Sequence, residues 1–173
     1  MSSSSNGINA SYHWYAVYTK PRNEKKAFDR LTKDGFEVYL PLISRIKQWS
    51  DRKKKVEEPL FKSYLFVKVS NIEYYNILKD PATVRYICFE GKAAPIRNED
   101  ITNIKKFLLT DYEIETTSEN IEPGTNIVIT AGPMMGMKGE LVEKARKKRV
   151  VIRLDIIGQN LLVHVPLQMV KKA

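Results

Sequence analysis

Residues 59–69 read Pro59-Leu60-Phe61-Lys62-Ser63-Tyr64-Leu65-Phe66-Val67-Lys68-Val69. From Ser63 onward β-branched and aromatic residues follow one another, which is the composition of a central β-strand. Along such a strand Tyr64 and Phe66 take one face of the sheet and Leu65 and Val67 the other, so one of the two sets must be core. Upstream, Val38-Tyr39-Leu40-Pro41 reads as a partner strand. Between the two, residues 43–58 are expected to form a projecting hairpin. Its tip holds Trp49, Ser50 and Asp51, flanked by Arg45, Lys47 and the block Arg52, Lys53, Lys54, Lys55.

Further out, His13 to Tyr18 alternate as a first strand. Pro21 signals a helix through Lys33, which Gly35 ends, with Ala27, Phe28 and Leu31 on one face. Helical patterning returns over 72–78, a strand over 85–89, and a helix over 99–109 that Asn98 or Glu99-Asp100 would start. This alternation implies α/β layering. Residues 112–121 are polar, rich in Glu and Thr, and lead to the turn pair Pro123-Gly124, so they read as a linker. Beyond Gly124 the chain changes to short strands over 126–130, 138–144, 149–154 and 161–165, closed by Val170. That is the pattern of a small barrel that removes its own sheet edges. The expected fold class is therefore α+β: a disordered head over 1–11, an α/β sandwich over 12–111, the linker over 112–121 and a small β-barrel over 122–173.

Composition narrows the chemistry. The chain has 173 residues, is 43% hydrophobic and carries a formal charge of +9, which favours polyanionic partners without naming one. No apolar run approaches the roughly 18 residues of a membrane helix, and the Ser-rich start lacks a secretory pattern, so a cytoplasmic protein with no membrane contact is expected. One cysteine, Cys88, and two histidines, His13 and His164, offer no zinc spacing and no nucleophile motif. Cys88 is expected buried, the histidines structural, and the chain neither an enzyme nor a carrier of metal or cofactor.

Several segments, in order, resemble the NusG family of transcription factors. They are Trp14-Tyr15-Ala16-Val17-Tyr18, Pro41, Pro59-Leu60-Phe61 with Tyr64-Leu65-Phe66-Val67, Pro81 with Val84, and Ala94-Pro95-Ile96. Later, Val128-Ile129-Thr130-Ala131-Gly132-Pro133 and Gly136-Met137-Lys138-Gly139-Glu140-Leu141-Val142 are similar to a KOW motif. The segment around Phe61 is especially similar to the operon-specialised paralogues of the RfaH kind. General NusG proteins often place Pro-Gly between Phe and Tyr, and this chain has Lys62-Ser63.

The resemblance implies a four-stranded antiparallel sheet with helices, followed by a five-stranded barrel. It also implies a monomeric elongation or antitermination factor whose first domain grips a coiled-coil element of the RNA polymerase clamp, with Phe61, Tyr64 and Phe66 matching that contact. Lys20, Arg22 and Lys25, with Lys47, Trp49, Arg52, Lys53, Lys54 and Lys55 of the hairpin, would meet upstream or non-template DNA. Met134, Met135, Met137, Ile156 and Ile157 would give the barrel an apolar surface for a second partner, a ribosomal protein or termination factor. Plain structural readings compete with each role: aromatics as core, Trp49 folded over a solvated hairpin, methionines plugging the barrel. The functional alternative is a KOW-type RNA-binding protein of the ribosome or translation apparatus.

Overall fold

In the computed structural model, residues 11–144, 147–154 and 157–173 are described. The first sheet is built around β1 (His13–Thr19), which pairs antiparallel with β5 (Tyr64–Val69) on one side and β6 (Thr83–Tyr86) on the other. β2 (Glu37–Tyr39) adds to the far edge of β5, giving the order β2-β5-β1-β6, and the short β9 (Pro95–Ile96) also pairs with β1. The sheet thus has a fifth, two-residue strand beyond the four expected.

Both faces of this sheet are buried. Val17, Leu65, Val67 and Val69 meet Ala27 and Leu31 of α1 (Glu24–Lys33), whose one-sided apolar spacing is the one expected, and Gly35 follows the helix with a φ of 91°. Bidentate contacts of 2.6 and 2.8 Å from Arg30 to Asp80 hold α1 against the chain that follows α2 (Tyr74–Ile77). On the other face, Trp14, Ala16 and Phe66 meet Ile101, Ile104 and Phe107 of α3 (Asn98–Leu108). Arg97 takes the N-cap position of α3 without a side-chain cap, and pairs with Asp100 at 2.7 Å.

Two hairpins stand apart from the sheet. β3 (Leu42–Gln48) and β4 (Lys53–Pro59) pair from Leu42↔Pro59 to Gln48↔Lys53, and β7 (Cys88–Phe89) pairs with β8 (Lys92–Ala93). The strand expected over 85–89 is therefore split between β6 and β7. Cys88 is exposed, against expectation, because the two-residue β7 has no sheet neighbour apart from β8 to cover it.

The C-terminal half is one antiparallel sheet in the order β10-β14-β13-β12-β11-β15. Its strands are β10 (Ile114–Thr117), β11 (Thr125–Ile129), β12 (Lys138–Lys144), β13 (Lys147–Leu154), β14 (Gln159–Val163) and β15 (Val170–Lys172). The sheet curls until its outer strands approach, with the Tyr112 hydroxyl ahead of β10 lying 3.2 Å from Met169 Sδ ahead of β15. A sixth strand replaces the five expected because the segment read as linker is not irregular throughout: β10 pairs with β14 from Ile114↔Val163 to Thr117↔Asn160. Gly139 shows why a small residue is needed in β12, since a Cβ there would lie 2.8 Å from both Ile152 Cδ1 and Val150 Cγ1.

Candidate functional site

The turn entering β5 is where the expected aromatic patch forms. Ser63 adopts a φ of 63°, and its N–H donates to the buried Glu24 carboxylate at 2.6 Å, tying the turn to the first residue of α1. Phe61 packs edge-to-face on Phe66 with ring centroids 5.9 Å apart, Tyr39 stacks on Phe66 at 6.2 Å, and Tyr64 sits edge-on to Tyr18 at 5.5 Å. Aromatic pairs of this geometry add about 0.5–1.5 kcal/mol to the burial of the rings themselves.

Phe61, Tyr64 and Phe66 are brought together as expected, but not at the surface. Phe61 and Phe66 are each 1% exposed, and Tyr64 is half-buried. The reason is a second cover. A single buried cluster runs from Phe61 and Phe66 through Ile101, Ile104 and Phe107 to Ile127, Met134, Met137, Ile157 and Leu161 of the C-terminal half. Thr116 of β10 also donates its hydroxyl to the Leu60 carbonyl at 3.3 Å. The exposed greasy edge expected from the sequence is thus a shared interior.

The same cluster corrects the expectation for the C-terminal loops. Met134, Met137 and Ile157 are buried, which removes them from the surface of this state, and of that set Met135 is exposed at 65%. Ile156 lies outside the described residues. Around the cluster's rim a cleft of about 860 Å³ opens between α3 and the C-terminal sheet, lined by Asn103, Ile104 and Phe107 on one wall and Ile127, Met137 and Leu161 on the other.

The basic residues expected to meet nucleic acid lie at two places on the surface. Lys20, Arg22 and Lys25 are exposed at the corner between β1 and α1, and Lys25 Nζ donates to the Glu57 carbonyl at 2.8 Å, joining the corner to the hairpin. Lys47, Arg52, Lys53, Lys54 and Lys55 are exposed, and Lys47 pairs with Glu58, whose carboxyl is held below its usual range by that ammonium. Trp49 is 55% exposed at the tip, where its N–H closes the turn on the Arg52 carbonyl at 2.8 Å. Sequence reasoning passed over Ile46, which is 74% exposed on β3; an isoleucine between two basic residues in a solvated strand was the available signal. Among the described residues no three His, Cys, Asp or Glu side chains converge as a metal site, and no helix is long and apolar enough to cross a membrane.

Comparison with known proteins gives three findings. The chain is similar over 94% of its length, and 97% of the other's, to a solved structure titled "Domain interaction in Thermotoga maritima NusG", with 20% identity and a TM-score of 0.57, a likeness of fold. It is 25% identical over 153 residues to proteins named "Endonuclease MutS2" from Staphylococcus aureus strains JH9 and Newman, covering 85% of this chain and spanning only 19% of those proteins. The profile of the family described as "NusG: Transcription termination factor nusG" matches residues 12–105, which include β1, the hairpin, the β5 aromatics and most of α3. With more than half of its length matched in this way, and a mixed fold of many strands and few helices like that of a solved NusG, the chain belongs to the NusG family of transcription factors.

Proposed function

We propose that the protein is an elongation and antitermination factor that binds the RNA polymerase clamp through Phe61, Tyr64 and Phe66 and suppresses pausing or termination at particular operons. The single observation that carries this reading is the aromatic cluster at the entry to β5, inside the segment that matches the family. Rings of this kind supply large contact area with little loss of side-chain entropy. In the state described they are covered, so binding requires the C-terminal sheet to move off α3. The same movement would uncover Met134, Met137 and Ile157. One opening step then creates both the polymerase surface on 12–111 and an apolar surface on 122–173 for a second partner, a ribosomal protein or termination factor. Lys20, Arg22, Lys25 and the hairpin would meanwhile face upstream or non-template DNA, with the factor acting as a cytoplasmic monomer.

The test is competition with a general NusG factor for core polymerase. Placing a charge in the shared cluster from the C-terminal side, Met137→Glu, should open the molecule and strengthen competition. In that background Phe61→Leu, which keeps apolar volume, should weaken it about tenfold, a loss of about 1.4 kcal/mol. No competition by either form, together with tight binding of free RNA, would replace this reading with an RNA-binding role in translation.

A further inference from the structure

Six basic side chains, one exposed isoleucine and one exposed tryptophan share the hairpin β3–β4, and their placement is more specific than a charged surface requires. In an antiparallel pair, directly opposed residues share a face. The register therefore puts Lys53 (opposite Gln48) and Lys55 (opposite Ile46) on one face, and Lys54 (opposite Lys47) and Arg45 (opposite Val56) on the other. Residues 44–55 are all exposed, so both faces of the ribbon are wet over this length. Arg52, Lys53, Lys54 and Lys55 make no ion pair among the described residues.

We propose that this hairpin is a reading ribbon that enters the major groove of double-stranded B-form DNA. The inference rests on the assignment of the hairpin as a nucleic-acid contact and names the form of nucleic acid it takes. A ribbon lying along a single strand would meet phosphates with one face, and cations on the opposite face would be wasted. Inside a groove both faces meet a phosphate wall. The B-DNA major groove, about 12 Å wide and about 8.5 Å deep, admits a two-stranded ribbon. At roughly 3.4 Å per residue, the four steps from Arg45 to Trp49 reach deeper than that floor. Trp49 and Gln48 then lie nearest the base edges, where Gln48, whose Nε2 otherwise donates to the Trp49 carbonyl at 2.9 Å, can turn to address adenine, while Ile46 stays near the mouth of the groove. Single-strand binders instead stack successive bases on several aromatics, and this tip offers one. A-form RNA closes its major groove to side chains.

The experiment measures binding of the full chain to three fluorescent probes of one sequence: a B-form DNA duplex, its single strand and the corresponding RNA duplex. The DNA duplex should bind at least about tenfold tighter than either other probe, and replacing Lys53, Lys54 and Lys55 by Gln should lower the salt slope by about 2 to 3. Gln at Lys33, Lys92 and Lys171 should leave the affinity and slope nearly unchanged. Since Trp14 is 5% exposed and Trp49 is 55% exposed, acrylamide-accessible fluorescence reports Trp49, and the duplex should shield it. Equal or tighter binding of the single strand or RNA duplex would overturn the inference, as would an unshielded Trp49 or equal losses in both lysine sets. Polymerase competition by the parent and by Met137→Glu, each with the native hairpin, separates the two readings: if duplex binding behaves as stated while neither competes, the polymerase reading falls and the ribbon stands.

Discussion

Ser63 occupies left-handed backbone space with a φ of 63°, one residue before the strand that carries the aromatic cluster. An L side chain there costs about 1–2 kcal/mol, and the hydrogen bond from its N–H to the buried Glu24 offsets part of that cost. Glycine would remove the strain while adding unfolded-state entropy worth about 0.4–1 kcal/mol. Ser63→Gly should therefore raise stability by about 0.5–1 kcal/mol in urea denaturation, whereas a loss of that size would mean that the serine side chain itself supports the turn. The sequence already marked this position, because Lys62-Ser63 stands where relatives often have Pro-Gly. What it could not disclose was exposure. Alternation assigned Phe66 and Leu65 to opposite faces correctly, yet whether the Phe66 face met water depended on residues more than 30 positions away, in α3 and beyond.

At the scale of elements, β12 and β13 are joined to the chain entering β11 by one carboxylate. Glu140 receives Arg153 through both oxygens at 2.8 and 2.9 Å and accepts the Gly124 N–H at 3.0 Å, while Arg153 also reaches the Ile121 carbonyl at 2.9 Å. The Arg153 hydrogen bond first, then the Gly124 amide, lowers the Glu140 carboxyl from 4.5 to about 2. Because the folded value lies below the unfolded one, the contribution to stability is complete above about pH 4.5 and is lost as pH falls towards 2. Glu140→Gln should thus lower the urea midpoint at pH 7 and flatten its decline between pH 4.5 and 2. An unchanged acid limb would show that other carboxylates dominate. Strands such as β12 were legible from their alternation and flanking glycines. β10 was not, since Glu115, Thr116 and Thr117 carry no apolar period; the threonines were a strand signal that the surrounding polarity hid.

At the scale of the whole molecule, β10 sets how far the two halves can separate. With β10 zipped to β14, only residues 109–113 connect α3 to the C-terminal sheet, a reach of roughly 20 Å when extended. With β10 released, residues 109–124 lie between α3 and β11 and the reach grows to roughly 55 Å. Among the described residues, contacts that hold it include the ladder to β14, the Thr116 hydroxyl on the Leu60 carbonyl, the ion pair of Glu115 with the buried Arg149, and the packing of Ile114 on the shared apolar cluster. The Glu113 carbonyl accepts the His164 N–H, so two residues on Glu115 faces Leu162 as the next hydrogen-bonded pair. Glu115→Pro would remove that ladder bond and leave the buried Arg149 without the half-exposed carboxylate that faces it, so β10 should detach more readily. The native Cys88, exposed on β7, and a second cysteine from Lys171→Cys on β15 place one spin label on each half. The parent should give one narrow distance, because the shared cluster fixes both halves. Glu115→Pro should give a broad, longer distribution with little loss of β-structure by circular dichroism, and should compete better for polymerase. If the distance stayed narrow, the apolar cluster alone would hold the halves together and β10 would be a bystander; if β-structure collapsed, the softer Thr116→Val, which removes only the Leu60 contact, should shift a smaller fraction to long distances.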